Sequence, residues 1–178
     1  MMNGKPLNKP FSAKVIPNLF TLANLFFGIM SLVFTMDDKF NFAAYTILCS
    51  VVLDGMDGRV ARRLEASSSF GKELDSLADL VSFGVAPAIL IYAQYMHRFY
   101  GVFGLAAAIA FALCGAVRLA RFNVMNITTH FVGVPITVAG GLMALFALMG
   151  QYLHPGFFLG ATLILAFLMV SRLKVPKY

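Results

Sequence analysis

Six stretches of this chain, at about 16–36, 40–62, 73–96, 101–121, 133–150 and 156–173, are almost continuously apolar. Each comes close to the ~20 residues that an α-helix needs to cross the hydrocarbon core of a bilayer. Hydrophobic residues make up 60% of the chain and charged residues 12%, whereas a soluble domain is about a quarter charged. The surplus apolar surface therefore needs lipid rather than water, and the same numbers exclude a disordered chain. The connectors are short, which makes consecutive helices antiparallel neighbours in one bundle. The expected fold is an all-α membrane protein, a six-transmembrane-helix bundle over residues 16–178. Residues 1–15 are more polar and form a cytoplasmic N-terminal, juxtamembrane segment that lies along the membrane surface or is disordered. No short apolar stretch leads from the N-terminal lysines to a small-residue cleavage site, so no cleavable signal peptide is expected.

Charge orients the bundle. With the N-terminus in the cytoplasm, twelve basic residues fall on that side: Lys5, Lys9, Lys14, Arg59, Arg62, Arg63, Lys72, Arg118, Arg121, Arg172, Lys174 and Lys177. Only Lys39 and Arg98 fall on the other. The asymmetry places both termini in the cytoplasm of a multi-pass protein of the cell membrane. The net charge of +6 thus belongs to topology, and no nucleic-acid partner is expected.

Several residue types carry no chemistry in this pattern. Cys49 and Cys114 lie in apolar runs without metal-type spacing and are expected to be buried small hydrophobes. Gly101 and Gly104, Gly140 and Gly141, and Gly156 with Gly160 are expected to permit close helix packing or to begin helices. His97, His130 and His154 fall in connectors or at helix ends.

The acidic residues are different. Six of the eight lie between positions 54 and 79, and Asp54, Asp57, Asp75 and Asp79 interrupt apolar stretches. A carboxylate inside a spanning segment is costly and calls for a partner or a functional cavity. Asp54 and Asp57 are three residues apart, hence ~60° apart around one helix and neighbours on its face. Asp75 and Asp79 are four apart, ~40° around the next helix. The first pair stands near the end of the second helix and the second near the start of the third. In antiparallel helices the two pairs reach similar depth, near the cytoplasmic face. Four facing carboxylates repel, and divalent cations resolve the repulsion. An all-oxygen ligand set favours Mg²⁺ or Mn²⁺ over zinc. Two such ions, about 4 Å apart, suit phosphoryl displacement. Around them Gly58, Ala61 and Gly71 lack bulk, so a base or sugar can approach the backbone, and Arg62 can pair with phosphate. Buried salt bridges explain the acids less well, because four carboxylates outnumber Arg62 and Arg63. Ion transport explains them less well too: the acids cluster at one face, and the last two helices carry none.

The spacing D-x2-D-G-x2-A-R-x8-G-x3-D-x3-D, from Asp54 to Asp79, resembles the signature of the CDP-alcohol phosphotransferases, with every fixed position present. The likeness extends through IPNLFTLANLFFG (16–28), GKELDSLADLVSFGVAPA (71–88), RLARFN (118–123) and VGVPITVAGG (132–141). Within the family it is greatest to the bacterial membrane-bound phosphatidylserine synthases. The resemblance implies six helices and a homodimer. It implies metal ligation by Asp54, Asp57, Asp75 and Asp79, with Asp79 also the general base, and contact with the CDP part by Gly58, Ala61, Arg62 and Gly71. The implied reaction joins CDP-diacylglycerol and L-serine to give phosphatidylserine and CMP. A carboxylate that binds cations is a weak base, so either the proton moves late or a hydroxyl near the metal is acidified. The alternative is the same chemistry with another acceptor: glycerol 3-phosphate, inositol phosphate or an archaeal lipid analogue. Family members that use glycerol 3-phosphate commonly show PNxxTxxR in the first helix. Here Pro17, Asn18 and Thr21 are followed by Asn24 in place of that Arg, which fits an acceptor without phosphate. Arg118 and Arg121 are then expected either to hold the serine carboxylate or to anchor the helix.

Overall fold

The computed structural model describes residues 11–64, 68–125, 131–171 and 174–175, with side chains over 18–56, 68–124 and 133–171. Helix covers each of the six predicted stretches. α1 is Phe11–Met36 and α2 is Phe40–Leu64. A long third rod begins as α3, Ser69–Asp79, and widens into a π-helical turn over Leu80–Val85. It continues as α4, Ala86–Ile91, and ends in a second π turn over Tyr92–Met96. α5 is His97–Met125, α6 is Ile136–Met149 and α7 is Pro155–Val170. The last helix stops at Val170, a little short of the predicted 173. The chain beyond it pairs back: β1, Phe131–Val132, meets β2, Lys174–Val175, antiparallel, with Phe131 opposite Val175. Apart from this two-residue bridge, every described element is helical.

Local chemistry explains where the rods break. Ser68 caps α3 by accepting the Gly71 N–H at 3.0 Å, a bond that satisfies one of the unpaired donors of a first turn. Pro87 has no N–H to continue an α-helical ladder, and the turn before it opens to the longer spacing, Ala86 N–H to Val81 O. At Gly101 the backbone takes φ 47° and ψ −117°, outside helical values, a conformation open mainly to glycine. His154 caps α7 through Nδ1, which accepts the Gly156 N–H at 3.1 Å.

α1 packs chiefly on α2, α2 on α6, and α5 on α7. The core between them holds Ile47, Phe83, Leu90, Phe111, Met143 and Phe158, all essentially inaccessible. Gly140 lets α6 close on the π turn: a Cβ there would lie 2.6 Å from Phe83 O. Gly160 has nothing within 4 Å of a Cβ, so its expected packing role is not met among the described residues. Cys49 also departs from expectation. It is exposed and Cys114 is half-buried, because both sit on outward parts of their helices.

The surface is inverted relative to a soluble bundle. On α1, Leu19, Leu22, Phe26, Ile29, Val33 and Met36 face outward, while Thr21, Asn24, Ser31 and Thr35 are buried. An exterior of large apolar side chains, with the polar side chains of the same helix turned inward, suits lipid on the outside. Among the described residues two stretches of helix are long and apolar enough to cross a membrane, Asn18–Met36 and Ser69–Val124. The second, at 56 residues, is far longer than the ~20 of one crossing. Phe40–Met56, Ile136–Tyr152 and Pro155–Val170 are shorter apolar helices.

Candidate active site

Asn24, Ser50, Asp79 and Ser82 are buried polar groups that converge toward the end of the bundle where α2 approaches its C-terminus and α3 begins. Asp54 stands on α2, Asp75 on α3, and Asp79 is the last residue of α3 before the π turn. One carboxylate oxygen from each of the three lies within 4.8 Å of the others. The i, i+4 spacing of Asp75 and Asp79 puts both on the face of α3 turned toward α2. Asp54 and Asp75 are partly buried, and Asp79 is 8% exposed.

Each carboxylate has a distinct surrounding. Thr137 Oγ1, from α6, donates to Asp54 Oδ2 at 3.2 Å. Asn24 Nδ2, from α1, donates to Asp79 Oδ1 at 3.3 Å. Asp75 Oδ1 is buried with no hydrogen-bond partner among the described residues. Among the described residues no Lys or Arg forms an ion pair with Asp54 or Asp75, and the ion pair that occurs there is Lys39 to Asp37 at the far end. Anionic oxygens this close, one of them buried without a donor, suit a bound cation: protein groups have left part of their charge uncompensated. The donors are all carboxylate oxygens, the set that hard divalent ions such as Mg²⁺ or Mn²⁺ prefer.

The other residues singled out from sequence fall in three groups. Asp57, Gly58, Ala61 and Arg62 follow Asp54 on α2, but their side chains and surroundings are outside the described residues, as is the connector 65–67. Gly71 sits in the first turn of α3 against α1, where a Cβ would meet Asn18 Oδ1 at 3.0 Å. Asn24 is fully buried and reaches Asp79, so it belongs with the carboxylates.

Arg118 and Arg121, three residues apart on α5, are separated in role by their contacts. Arg118 is close enough to Asp79 for their charges to interact, and its Nε is buried without a hydrogen-bond partner among the described residues. Arg121 Nη1 donates to Val170 O at 3.2 Å and so ties α5 to the C-terminal end of α7, where orphan carbonyls attract a cation.

Sequence reasoning missed Thr137, Ser50, Ser82 and the pair Asn123 with Ser76. Asn123 Nδ2 donates to Ser76 Oγ at 3.0 Å, which links α5 to α3 beside Asp75. Ser50 Oγ and Ser82 Oγ both donate to Asn24 O, at 3.1 and 3.0 Å. A hydroxyl or, for Asn123, an amide on a helix is the only signal any of them leaves in the sequence, and such hydroxyls also bond to their own helix, as Thr35 Oγ1 does to Ser31 O.

Residues 14–171 match the sequence profile of the CDP-alcohol phosphatidyltransferases. The chain is 40% identical over 173 residues to a CDP-diacylglycerol–serine O-phosphatidyltransferase of Helicobacter pylori, with 92% of this chain and 73% of the relative covered. It is 36% identical over 164 residues to the protein of that name from Bacillus subtilis, covering 92% and 90%. It is also 36% identical over 182 residues to an archaetidylserine synthase of Methanothermobacter thermautotrophicus, covering 99% and 75%. The profile spans nearly the whole bundle and three carboxylates of its signature, Asp54, Asp75 and Asp79, meet at one point, so the chain belongs to the CDP-alcohol phosphatidyltransferase family.

Proposed function

We propose that the chain transfers the phosphatidyl group of CDP-diacylglycerol to L-serine, releasing CMP, as a step of phospholipid biosynthesis. The observation that carries this reading is the convergence of Asp54, Asp75 and Asp79 within 4.8 Å, near the half-buried Arg118. Serine as acceptor is supported by the names of the relatives, which all end in serine transfer whatever the lipid.

Asp54, Asp57, Asp75 and Asp79 would hold two Mg²⁺ or Mn²⁺ ions. Such ions polarise a phosphoryl group and offset charge on a departing nucleotide. Gly58, Ala61, Arg62 and Gly71 take the CDP part, with Arg62 against the pyrophosphate. Arg118 holds the serine carboxylate, a role its unpaired buried Nε supports, and this orients the hydroxyl toward the phosphorus. Asp79 accepts the hydroxyl proton as the serine oxygen bonds to phosphorus and the bond from phosphorus to the CMP oxygen breaks. Arg121, already held by Val170 O, secures the helix that carries Arg118.

The same reading has the bundle cross the membrane six times, with both termini and the carboxylate site at the cytoplasmic face. Positive charge at the end that holds Lys72, Arg118 and Arg121 supports this orientation. The two short helices α6 and α7 fit a locally thin bilayer: the 16 residues of α7 rise roughly 24 Å. Family likeness further implies a homodimer.

A second donor has specific support. The archaetidylserine synthase match covers 99% of the chain, so a CDP-activated archaeal lipid is the alternative to CDP-diacylglycerol. Purified protein offered each donor with serine, glycerol 3-phosphate and inositol phosphate, with CMP release as readout, tests both. Serine with CDP-diacylglycerol should give the highest kcat/KM. Chelation should abolish release, Mg²⁺ or Mn²⁺ should restore it, and Asp75→Asn should lose most activity while still inserting. Preference for glycerol 3-phosphate, or full activity in metal-free buffer, would refute the reading.

A further inference from the structure

We propose that Asn24 is a positioning residue for Asp79, locking the plane of that carboxylate from the α1 side. The inference rests on the reading of Asp79 as a metal-site carboxylate. Asn24 is 0% exposed, yet it is polar, and its Oδ1 has no hydrogen-bond partner among the described residues. If the position served packing alone, an apolar side chain of the same size would fill it without leaving a buried acceptor unsatisfied. The amide's use lies in its other end. Nδ2 donates to Asp79 Oδ1 at 3.3 Å, and because a carboxylate only accepts, the NH₂ end is the one that can face it.

The backbone beneath this amide is held from two directions. Asn24 O accepts Ser50 Oγ from α2 and Ser82 Oγ from the π turn that follows Asp79. A turn further along α1, a Cβ on Gly28 would lie 2.9 Å from Ser82 Cα, so the two backbones are in close contact there. The donor therefore sits on a rigid mount that touches both helices of the carboxylate cluster. Residues that orient a metal-ligating carboxylate in this way control metal affinity and rate without touching substrate.

The test uses the full-length protein in detergent, with Asn24→Leu (same size, no donor) and Asn24→Ser (a hydroxyl too short to reach). Mn²⁺ binding is followed by electron paramagnetic resonance without substrate, and kinetics are measured at saturating metal. Asp79→Asn is run in parallel. The expected result is a Mn²⁺ affinity about tenfold weaker and a kcat lower by a similar factor, with KM for serine unchanged. A purely structural residue would lower thermal stability and leave both readouts in place. Changes in Mn²⁺ affinity smaller than about threefold in both variants overturn the proposal, as does failure of both to insert. If Asp79→Asn itself binds Mn²⁺ and turns over normally, the reading of the site has failed. If Asp79→Asn is inactive while the Asn24 variants are normal, only the positioning role has.

Discussion

Thr137 on α6 and Asp54 on α2 are 83 positions apart in the chain and 3.2 Å apart in space, the threonine hydroxyl donating to Asp54 Oδ2. Through this bond a helix without any acidic residue takes part in shaping the carboxylate cluster. Thr137→Val keeps the shape and removes the donor. It should weaken metal affinity and lower kcat by about tenfold, with insertion and KM for serine unaffected. A Mn²⁺ titration together with initial rates checks this, and wild-type values in both would mean the bond is incidental.

Arg118 and Arg121 should part company on mutation. Arg118 has a buried Nε without a partner and lies near Asp79. Arg118→Ala should raise KM for serine by roughly 30-fold or more, about 2 kcal/mol, as truncation of a buried charged contact does. Arg121 is occupied by Val170 O. Arg121→Ala should leave serine kinetics near wild type and cost about 1 kcal/mol of stability. Rates against serine and thermal denaturation of both variants decide the matter, and a reversed pattern would transfer the acceptor role to Arg121.

Gly140→Ala should be destabilising out of proportion to one methyl group. The new Cβ would lie 2.6 Å from Phe83 O and 2.7 Å from its Cα. Backbone cannot rotate away as a side chain can, so α6 must move off the π turn at a cost of about 1–3 kcal/mol. The denaturation midpoint in detergent should fall accordingly, whereas Gly160→Ala, which meets nothing within 4 Å, should leave it unchanged. Equal midpoints for the two variants would count against the close contact of α6 with the third rod.

Topology can be read by labelling. In a background with Cys49 and Cys114 replaced, Lys39→Cys and His154→Cys should react with an impermeant thiol reagent added outside intact cells. Lys72→Cys should react only after permeabilisation. Labelling of Lys72→Cys from outside would invert the proposed orientation.

Much of this protein was legible in its sequence because the relevant physics is local. The apolar runs marked out the helical stretches, since apolar length follows from membrane thickness and needs no knowledge of neighbours. The spacing of Asp54, Asp75 and Asp79 predicted their convergence, because residues three or four apart share a helix face and a short connector makes adjacent helices antiparallel. The roles of the glycines and cysteines depend on neighbours. Gly140 packs as expected but Gly160 does not, and Cys49 is exposed, because an apolar helix gives no sequence mark of which face meets a neighbour and which meets lipid.

Tertiary structure alone decided which polar groups attend the carboxylates. Asn24 was singled out for the Arg it replaces, but its bond to Asp79 depends on how closely α1 approaches the π turn. The difference between Arg118 and Arg121 arises because α7 ends beside one of them. Thr137 meets Asp54 only because α6 packs on α2. Each of these is a contact between helices distant in sequence, set by their rotation and depth in the bundle, and those are fixed by side-chain packing across the whole interface rather than by the spacing of residues along any one helix.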